Sequence, residues 1–433
     1  MTKACLALAF FCLVSGLPLR AFDWETATAN GRDYVTLRSF CAFYGFYYEA
    51  PGGNYFTSRG AAHSIQFKLG NSDMYLDGVH YVMSFPIESG DRDWLVSRMD
   101  VIKLFDPILR PDQIADRHTI RGVVIDPGHG GSDNGAASSL GYEKNYTLQT
   151  AFILENILRA AGLKTVLTRR TDVFVDLYER AHIASLYPDY AFVSIHYNSA
   201  TPEAHGLETY CVAPRGAPSA SSNYVSRADI YKLPGNDYDA QNILLASLVH
   251  SEIIRLNPGD PTADRGVKRA RFVVIKQNVL PAILVEGGFV SNHLEARRVN
   301  RDDYRERLAL EIARGVIRFA NIMGDRNIPL PGDGAAAPKP IVVTPPAPSG
   351  LARDMANSSS AAPGASGTVA SHKPKKKTVA SAPLNLNEPI PPASAPDKPS
   401  SNEPDEPPTV SIYPTMPVTN TDTPSTPSSP TEP

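Results

Sequence analysis

The sequence predicts an α/β fold: a mostly parallel sheet flanked by helices over residues 121–325, preceded by a small α+β module at 22–115 and followed by a disordered tail at 326–433. Three observations carry this. Through the middle of the chain, β-branched runs alternate with helix-period patterns, as expected of strands joined by covering helices. Upstream, short alternating segments such as SIQFKLG and HYVMSFP accompany one helix-like stretch, VTLRSFCAFYGFYY. Downstream, the chain becomes rich in Pro, Ser, Thr and Ala and has no Trp, so burial cannot offset the entropy of ordering it.

The first segment, MTKACLALAFFCLVSGLPLRA, has Lys3, an apolar run from Cys5 to Val14 and small residues before Phe22. That is the layout of a secretory signal peptide over residues 1–21, with an uncleaved anchor as the alternative. The run is short for a membrane span of ~20 residues, and no cysteine follows it at a lipoprotein-like position. The expected location is therefore secreted, in the periplasm or cell envelope, with no stable membrane span after processing. Cys41 and Cys211 are the cysteines left, so disulfides do not organise the fold, although one bridge between them stays open. A net charge of -3 and a pI near 6.4 give no general attraction to nucleic acid.

In the middle region, Val123 to Ile125 read as a buried strand, and Asp126-Pro127-Gly128 is turn chemistry that leaves His129 at the strand's C-terminal mouth. In open α/β sheets that mouth is where ligands bind. A helix follows over Asn145–Gly162, then a strand in KTVLT, a helix in DLYERAHIASLY ended by Pro188, and a strand in YAFVSIH that ends on His196. GLETYCV is another strand. The Ser-, Ala- and Gly-rich stretch from Pro214 to Asp239 is long for a connection inside a compact domain, as lids and regulatory elements often are. A helix over Asp239–Leu256, strands RFVVIK and AILVE, the second delivering Glu286, and a helix over Asp303–Ile322 complete the region.

Taken singly, each of these His and Glu residues reads as structural. Together, two His and two Glu, with Glu143 in a loop that ends where a helix begins, suggest more. Two imidazoles and one carboxylate are a common catalytic zinc set that leaves a position for water. A further carboxylate is then needed to take the water's proton and pass it to a leaving amine. Glu286 fits that role, with Gly287 and Gly288 leaving space for substrate backbone.

Six segments, IDPGHGGSDNGA, YEKNYTLQTA, LTRRTDVFVDLYERAHIAS, FVSIHYNSA, RGVKRARFVVIK and PAILVEGGFVSN, resemble in order the motifs of the zinc-dependent N-acetylmuramoyl-L-alanine amidases, the amidase-3 type of peptidoglycan hydrolase. The resemblance implies a zinc ion held by His129, Glu143 and His196, with Glu286 as general base. It implies hydrolysis of the amide between the lactyl group of N-acetylmuramic acid and L-alanine of the stem peptide. Peptidoglycan is then the substrate, and there is room for an activator protein, since some relatives cover the zinc with an inhibitory helix near the position of the Pro214–Asp239 stretch. Oligomeric state is not readable.

Other residues keep two readings. Asp126 either orients a ligating imidazole or closes its turn, Asn198 and Ser199 either face substrate or are loop polarity, and Arg265 and Lys268 either bind acidic groups of the stem peptide or do not. His182 and His250 read as structural residues of helices. The upstream module, with NGRDYVTLRSFCAFYGFYYE and LVSRMDVIKLFDPILRP, is similar to the copper amine oxidase N-terminal-like stalk domain, which implies neither copper nor oxidase chemistry. A wall-binding and a purely structural role both stand for it. The tail reads as an extended spacer, whose HKPKKK either touches anionic polymer or is solvated. Two rivals to the amidase reading remain: a non-catalytic wall-binding protein and a zinc peptidase that cuts within the stem peptide.

Overall fold

A computed structural model describes residues 22–220, 222 and 224–332; the expected signal peptide and all but the first residues of the expected tail lie outside them. Ten strands form one sheet: β1 (Tyr55–Arg59), β2 (Ser64–Lys68), β3 (Asp73–Leu76), β4 (Val79–Val82), β5 (Gly122–Pro127), β6 (Lys164–Leu167), β7 (Tyr190–Asn198), β8 (Leu207–Val212), β9 (Asp264–Ala270) and β10 (Ala282–Phe289). Their spatial order is β6-β5-β7-β10-β8-β9-β4-β3-β2-β1. The run β6-β5-β7-β10 is parallel, as the alternation of strands and helices predicts, while β8 is antiparallel to β10 and parallel to β9.

The upstream module is joined to this sheet. Its meander β1 to β4 is antiparallel, and β4 pairs in parallel with β9 through Tyr81 and Val267. The rest of the module is a small sheet of Thr26–Ala29, Arg32–Thr36, Trp94–Ser97 and Glu88–Ser89, beside helix α1 (Leu37–Tyr44). Thr36 caps α1 by accepting from the Ser39 N–H, and Gly45 in the left-handed region ends it.

The register explains the core. Phe56, Phe67, Met74, Tyr81, Val267, Thr209, Val285 and Ile195 are successive partners across β1, β2, β3, β4, β9, β8, β10 and β7. All are buried. They face helices α2 (Glu143–Ala160), α4 (Asp239–Ile253) and α5 (Asp302–Gly324), which supply the rest of the main core. Side chains alternate across a strand, so the neighbours of these residues point to the opposite face. There, helix α3 (Leu177–Ser185) covers a second cluster with Val124, Phe192 and Leu284. No described helix is long and apolar enough to cross a membrane.

One expectation is corrected, and one open alternative is decided. RFVVIK is not a strand: the strand is the preceding DRGVKRA, and Val273–Lys276 is a short helix whose Val274 and Ile275 are buried beside Leu280 and Leu284. The charged segment is the one held in the sheet, because β8 and β4 pair with it on both sides. Cys41 and Cys211 form no bridge; each is a buried free thiol.

The Pro214–Asp239 stretch is anchored at the far ends of β8 and β9. The Ala220 N–H donates to the Arg269 carbonyl at 2.7 Å, Asn236 Nδ2 to the Ala213 carbonyl at 2.9 Å, and Arg271 pairs with Asp229 at 2.7 Å. Glu208, His196 and Glu286 lie toward the opposite end of the sheet, so these contacts do not place the stretch as a cover over His129.

Candidate metal centre and catalytic site

Strand β5 is buried along its whole length, and after Pro127 the chain turns sharply. His129 has φ +61°, a left-handed conformation that few non-glycine residues adopt, so the surroundings must hold it. Two buried arginines do so. Arg180 donates to the carbonyls of Pro127 and His129 at 2.8 Å each, and Arg169 donates to those of Pro127 at 2.9 Å and Gly128 at 2.8 Å. These are two of the three arginines of LTRRTDVFVDLYER, and they satisfy carbonyls that the turn would otherwise bury unpaired. The backbone bonds Gly130 N–H to Asp133 O and Asp133 N–H to Gly130 O then fold the loop back. A Cβ on Gly128 would lie 2.3 Å from the His196 ring, so glycine there lets β5 and β7 bring the two imidazoles together.

Glu143 is the first residue of α2, where the helix dipole favours a carboxylate. Its Oε1 accepts from the Tyr197 N–H at 2.9 Å and its Oε2 from the Ala136 N–H at 2.8 Å. His196 Nδ1 lies 3.0 Å from Oε1, and His129 Nε2 lies 3.0 Å from Oε2. The sequence reading thus brings its three expected ligands together: His129, Glu143 and His196 are all buried, each offering a donor atom within 4.8 Å of the others. Burial opposes the charge on Glu143, but hydrogen bonds and attraction from both imidazoles hold its carboxyl below the usual range. Burial likewise opposes protonation of His129, yet Asp133 and Glu143 push it up to about 9. Two imidazoles and a carboxylate in this arrangement are a donor set that fits zinc.

Asp126 is not the residue that orients an imidazole. Its carboxylate is fully buried and accepts from Thr168 at 2.6 Å, Arg180 at 2.7 Å and Ser194 at 2.7 Å. The orienting carboxylate is Asp133, whose Oδ2 lies 2.8 Å from His129 Nδ1. The only sequence hint was an Asp four residues after His129 in a glycine-rich loop. Such a partner fixes ring orientation and raises ligand basicity.

Glu286 stands beside this cluster, paired in register with His196 on one side and Glu208 on the other. It is buried, and among the described residues its Oε2 has no hydrogen-bond partner. Burial, then the charges of Glu143 and Glu208, push its carboxyl well above the usual range. A carboxylate with raised proton affinity is suited to accept a proton near neutral pH. The expected role of Gly287 is corrected: a Cβ there would meet Leu308 at 2.4 Å, so that position serves helix packing.

Glu208 was not singled out by the sequence reading, where it sits inside an ordinary strand pattern. It is buried and accepts from Arg265, from Lys268 Nζ at 2.8 Å, from the Tyr210 hydroxyl and from Asn198 at 3.2 Å. Arg265 and Lys268 are thereby engaged with Glu208. His250 is buried on α4 between Thr209 at 2.9 Å and Asp264 at 3.0 Å, and His182 lies on α3.

The sequence profile described as N-acetylmuramoyl-L-alanine amidase matches residues 123–318. N-acetylmuramoyl-L-alanine amidase AmiA of Escherichia coli (strain K12) is 36% identical over 220 residues, 46% of this chain and 76% of that protein. The sporulation-specific N-acetylmuramoyl-L-alanine amidase of Bacillus subtilis (strain 168) is 32% identical over 202 residues, 46% of this chain and 68% of that protein. Among solved structures, N-acetylmuramoyl-L-alanine amidase AmiC2 of Nostoc punctiforme is 32% identical, with 47% of this chain and 98% of that chain covered and a TM-score of 0.38. The matched region takes in β5 to β10 and every residue of the His129–Glu286 site, and with relatives above 30% identity matched over more than two thirds of their length, the chain belongs to the N-acetylmuramoyl-L-alanine amidase family.

Proposed function

We propose that the chain is a secreted, zinc-dependent peptidoglycan hydrolase that cleaves the amide between the lactyl group of N-acetylmuramic acid and L-alanine of the stem peptide. The observation that carries the mechanism is the placement of Glu286 directly beside a His129–Glu143–His196 donor set. In this reading those three residues hold the ion, which supplies Lewis acidity toward the amide carbonyl and toward water. Glu286 takes the proton of the attacking water and delivers it to the amine of L-alanine as the C–N bond breaks, leaving the lactyl carboxylate on the glycan. Asp133 keeps His129 in one orientation, and Arg169 and Arg180 keep the loop that carries it from relaxing. The family membership and the separation of the carboxylates into a depressed Glu143 and a raised Glu286 support the assignment of ligand and base. Residues 121–325 then form the catalytic part, 22–115 the accessory part and 326–433 a spacer.

The test is release of new L-alanine amino termini from purified sacculi by the full chain, with zinc, with a chelator and as Glu286→Ala. Zinc-dependent release that disappears in Glu286→Ala, by a factor of about 10²–10⁴, while the variant still binds zinc is the expected result. New termini from within the stem peptide would instead identify a peptidase, and no release from folded, zinc-loaded protein would sink the hydrolase reading.

A further inference from the structure

The row of side chains that holds His196, Glu286 and Glu208 does not stop at the edge of the amidase-like region. Glu286 pairs with His196 and with Glu208 by register. Thr209, next to Glu208, pairs with Val267, and Val267 pairs with Tyr81 of the upstream module. The register of β8 and β9 shifts between Leu207 and Thr209, so Arg265 and Gly266 together stand opposite Glu208, a bulge. His80, next to Tyr81, follows on β4; a Cβ on Gly266 would come within 2.8 Å of its ring, so glycine there lets the imidazole pack against the β9 backbone. From there the register continues, His80 with Tyr75, Tyr75 with Gln66, Gln66 with Thr57.

All these residues are sequence neighbours of the buried row from Phe56 to Ile195, so alternation puts them on the opposite face. One line of side chains, Thr57, Gln66, Tyr75, His80, Glu208, Glu286 and His196, therefore crosses eight strands. Seven strand spacings make it about 34 Å long, with Tyr75 about 19 Å from Glu286.

The two halves of this line differ in character. Near Glu286 it is buried and charged. On the module it is open and close to neutral: Tyr75 is 40% exposed, and its ring stacks on His80 at 5.2 Å. His80 is fixed by Asp73 at 2.8 Å. In the adjacent row, Tyr55 is 56% exposed with the Lys68 ammonium 5.8 Å from its ring centroid. Exposed ring faces flanked by amide, imidazole and hydroxyl groups suit a ligand with apolar C–H faces and a rim of hydroxyl and acetamido groups, which is the chemistry of an N-acetylated sugar chain. A stem peptide with free carboxylates would seek cations; Arg265 and Lys268 beside Glu286 are already paired with Glu208, and on the module face Lys68 lies over the Tyr55 ring at the margin of the row.

We propose that the exposed face of β1 to β4 is the distal half of the substrate groove and holds the glycan strand that flanks the scissile amide, with Tyr75 as its stacking platform, His80 as the support behind that ring and Gln66 as a hydrogen-bonding neighbour. This rests on the amidase reading above. It makes the module part of the substrate site, in line with the catalytic row, and the enzyme one that prefers polymer over fragments.

The experiment compares the zinc-loaded full chain with Tyr75→Ala, Tyr75→Phe and Gln66→Ala on two substrates: long uncross-linked glycan strands bearing stem peptides, and a single disaccharide-peptide too short to reach from Glu286 to Tyr75. Tyr75→Ala is expected to raise KM on the strands about tenfold with kcat near that of the parent. Tyr75→Phe should restore KM, Gln66→Ala should raise it less, and all should match the parent on the short substrate. An unchanged KM on strands for Tyr75→Ala, or an equal loss on both substrates, would overturn the proposal. A folded, zinc-loaded parent inactive on both substrates would overturn the amidase reading, and the glycan assignment with it.

Discussion

Glu208 and Glu286 face each other as register partners across β8 and β10, yet they are neutralised differently: Glu208 has Lys268 at 2.8 Å and Arg265 beside it, while Glu286 has an oxygen with no hydrogen-bond partner among the described residues. Burial, then the charges of Glu143 and Glu208, raise the proton affinity of Glu286. Glu208→Gln removes one of those charges and frees two cations nearby, and both changes lower it. A general base works when deprotonated, so the acidic limb of the kcat/KM profile should move to lower pH in the variant. A limb that stays in place or moves to higher pH would rule out this coupling.

The same shift bears on stability. A carboxyl whose folded-state pKa is raised favours the protonated native state, so its contribution is present below the ordinary glutamate value of 4.5 and is lost as pH rises through the folded value. For metal-free protein, Glu286→Gln should therefore be more stable than the parent at pH 8, by about 1–3 kcal/mol. The gap should close as the pH falls below 4.5. Urea midpoints at the two pH values measure it, and a parent more stable than the variant at pH 8 would contradict it.

Asp133 makes its own prediction. Loss of its bond to His129 Nδ1 in Asp133→Ala should weaken zinc binding by about 10–100-fold while the fold persists, as seen by zinc titration against a chromophoric chelator. Asp126→Asn should act differently, through stability, since the hydrogen-bond partners of Asp126 among the described residues are Thr168, Ser194 and Arg180 and not an imidazole.

Arg180 and Asp126 form a pair at 2.7 Å with both side chains almost wholly buried. Arg180→Met leaves Asp126 charged and without its direct ion-pair partner and strips donors from Pro127 and His129. A loss of about 3–5 kcal/mol in denaturant unfolding is expected. Combining it with Asp126→Asn should recover part of that loss.

Periodicity brings His129, His196 and Glu286 to the C-terminal parts of strands, although β10 runs on to Phe289 so that Glu286 lies within it; the grouping of Glu143 with them as a ligand set came only with the resemblance of the six motifs. Asp133 and Asp126 could not be told apart, since the choice depends on the left-handed backbone at His129 and on a buried Arg180 that is remote in sequence. Glu208 was hidden because a charged residue inside a strand is ordinarily solvent-facing, and its cations come from β9. That strand was itself misplaced: FVVIK has the better local β composition, but DRGVKRA has neighbours on both sides and a carboxylate for its charges. The joining of the module to the sheet rests on the Tyr81–Val267 pair, a contact between distant parts of the chain that no local pattern announces.

That junction also changes what trimming the protein would do. With the meander removed, β9 would become a bare border strand, its amides and carbonyls open and Val267 stripped of its neighbour. Such borders recruit other chains by edge-to-edge pairing. The module is thus a guard against self-association, and a shortened enzyme would tend to cluster and precipitate even with every catalytic group intact.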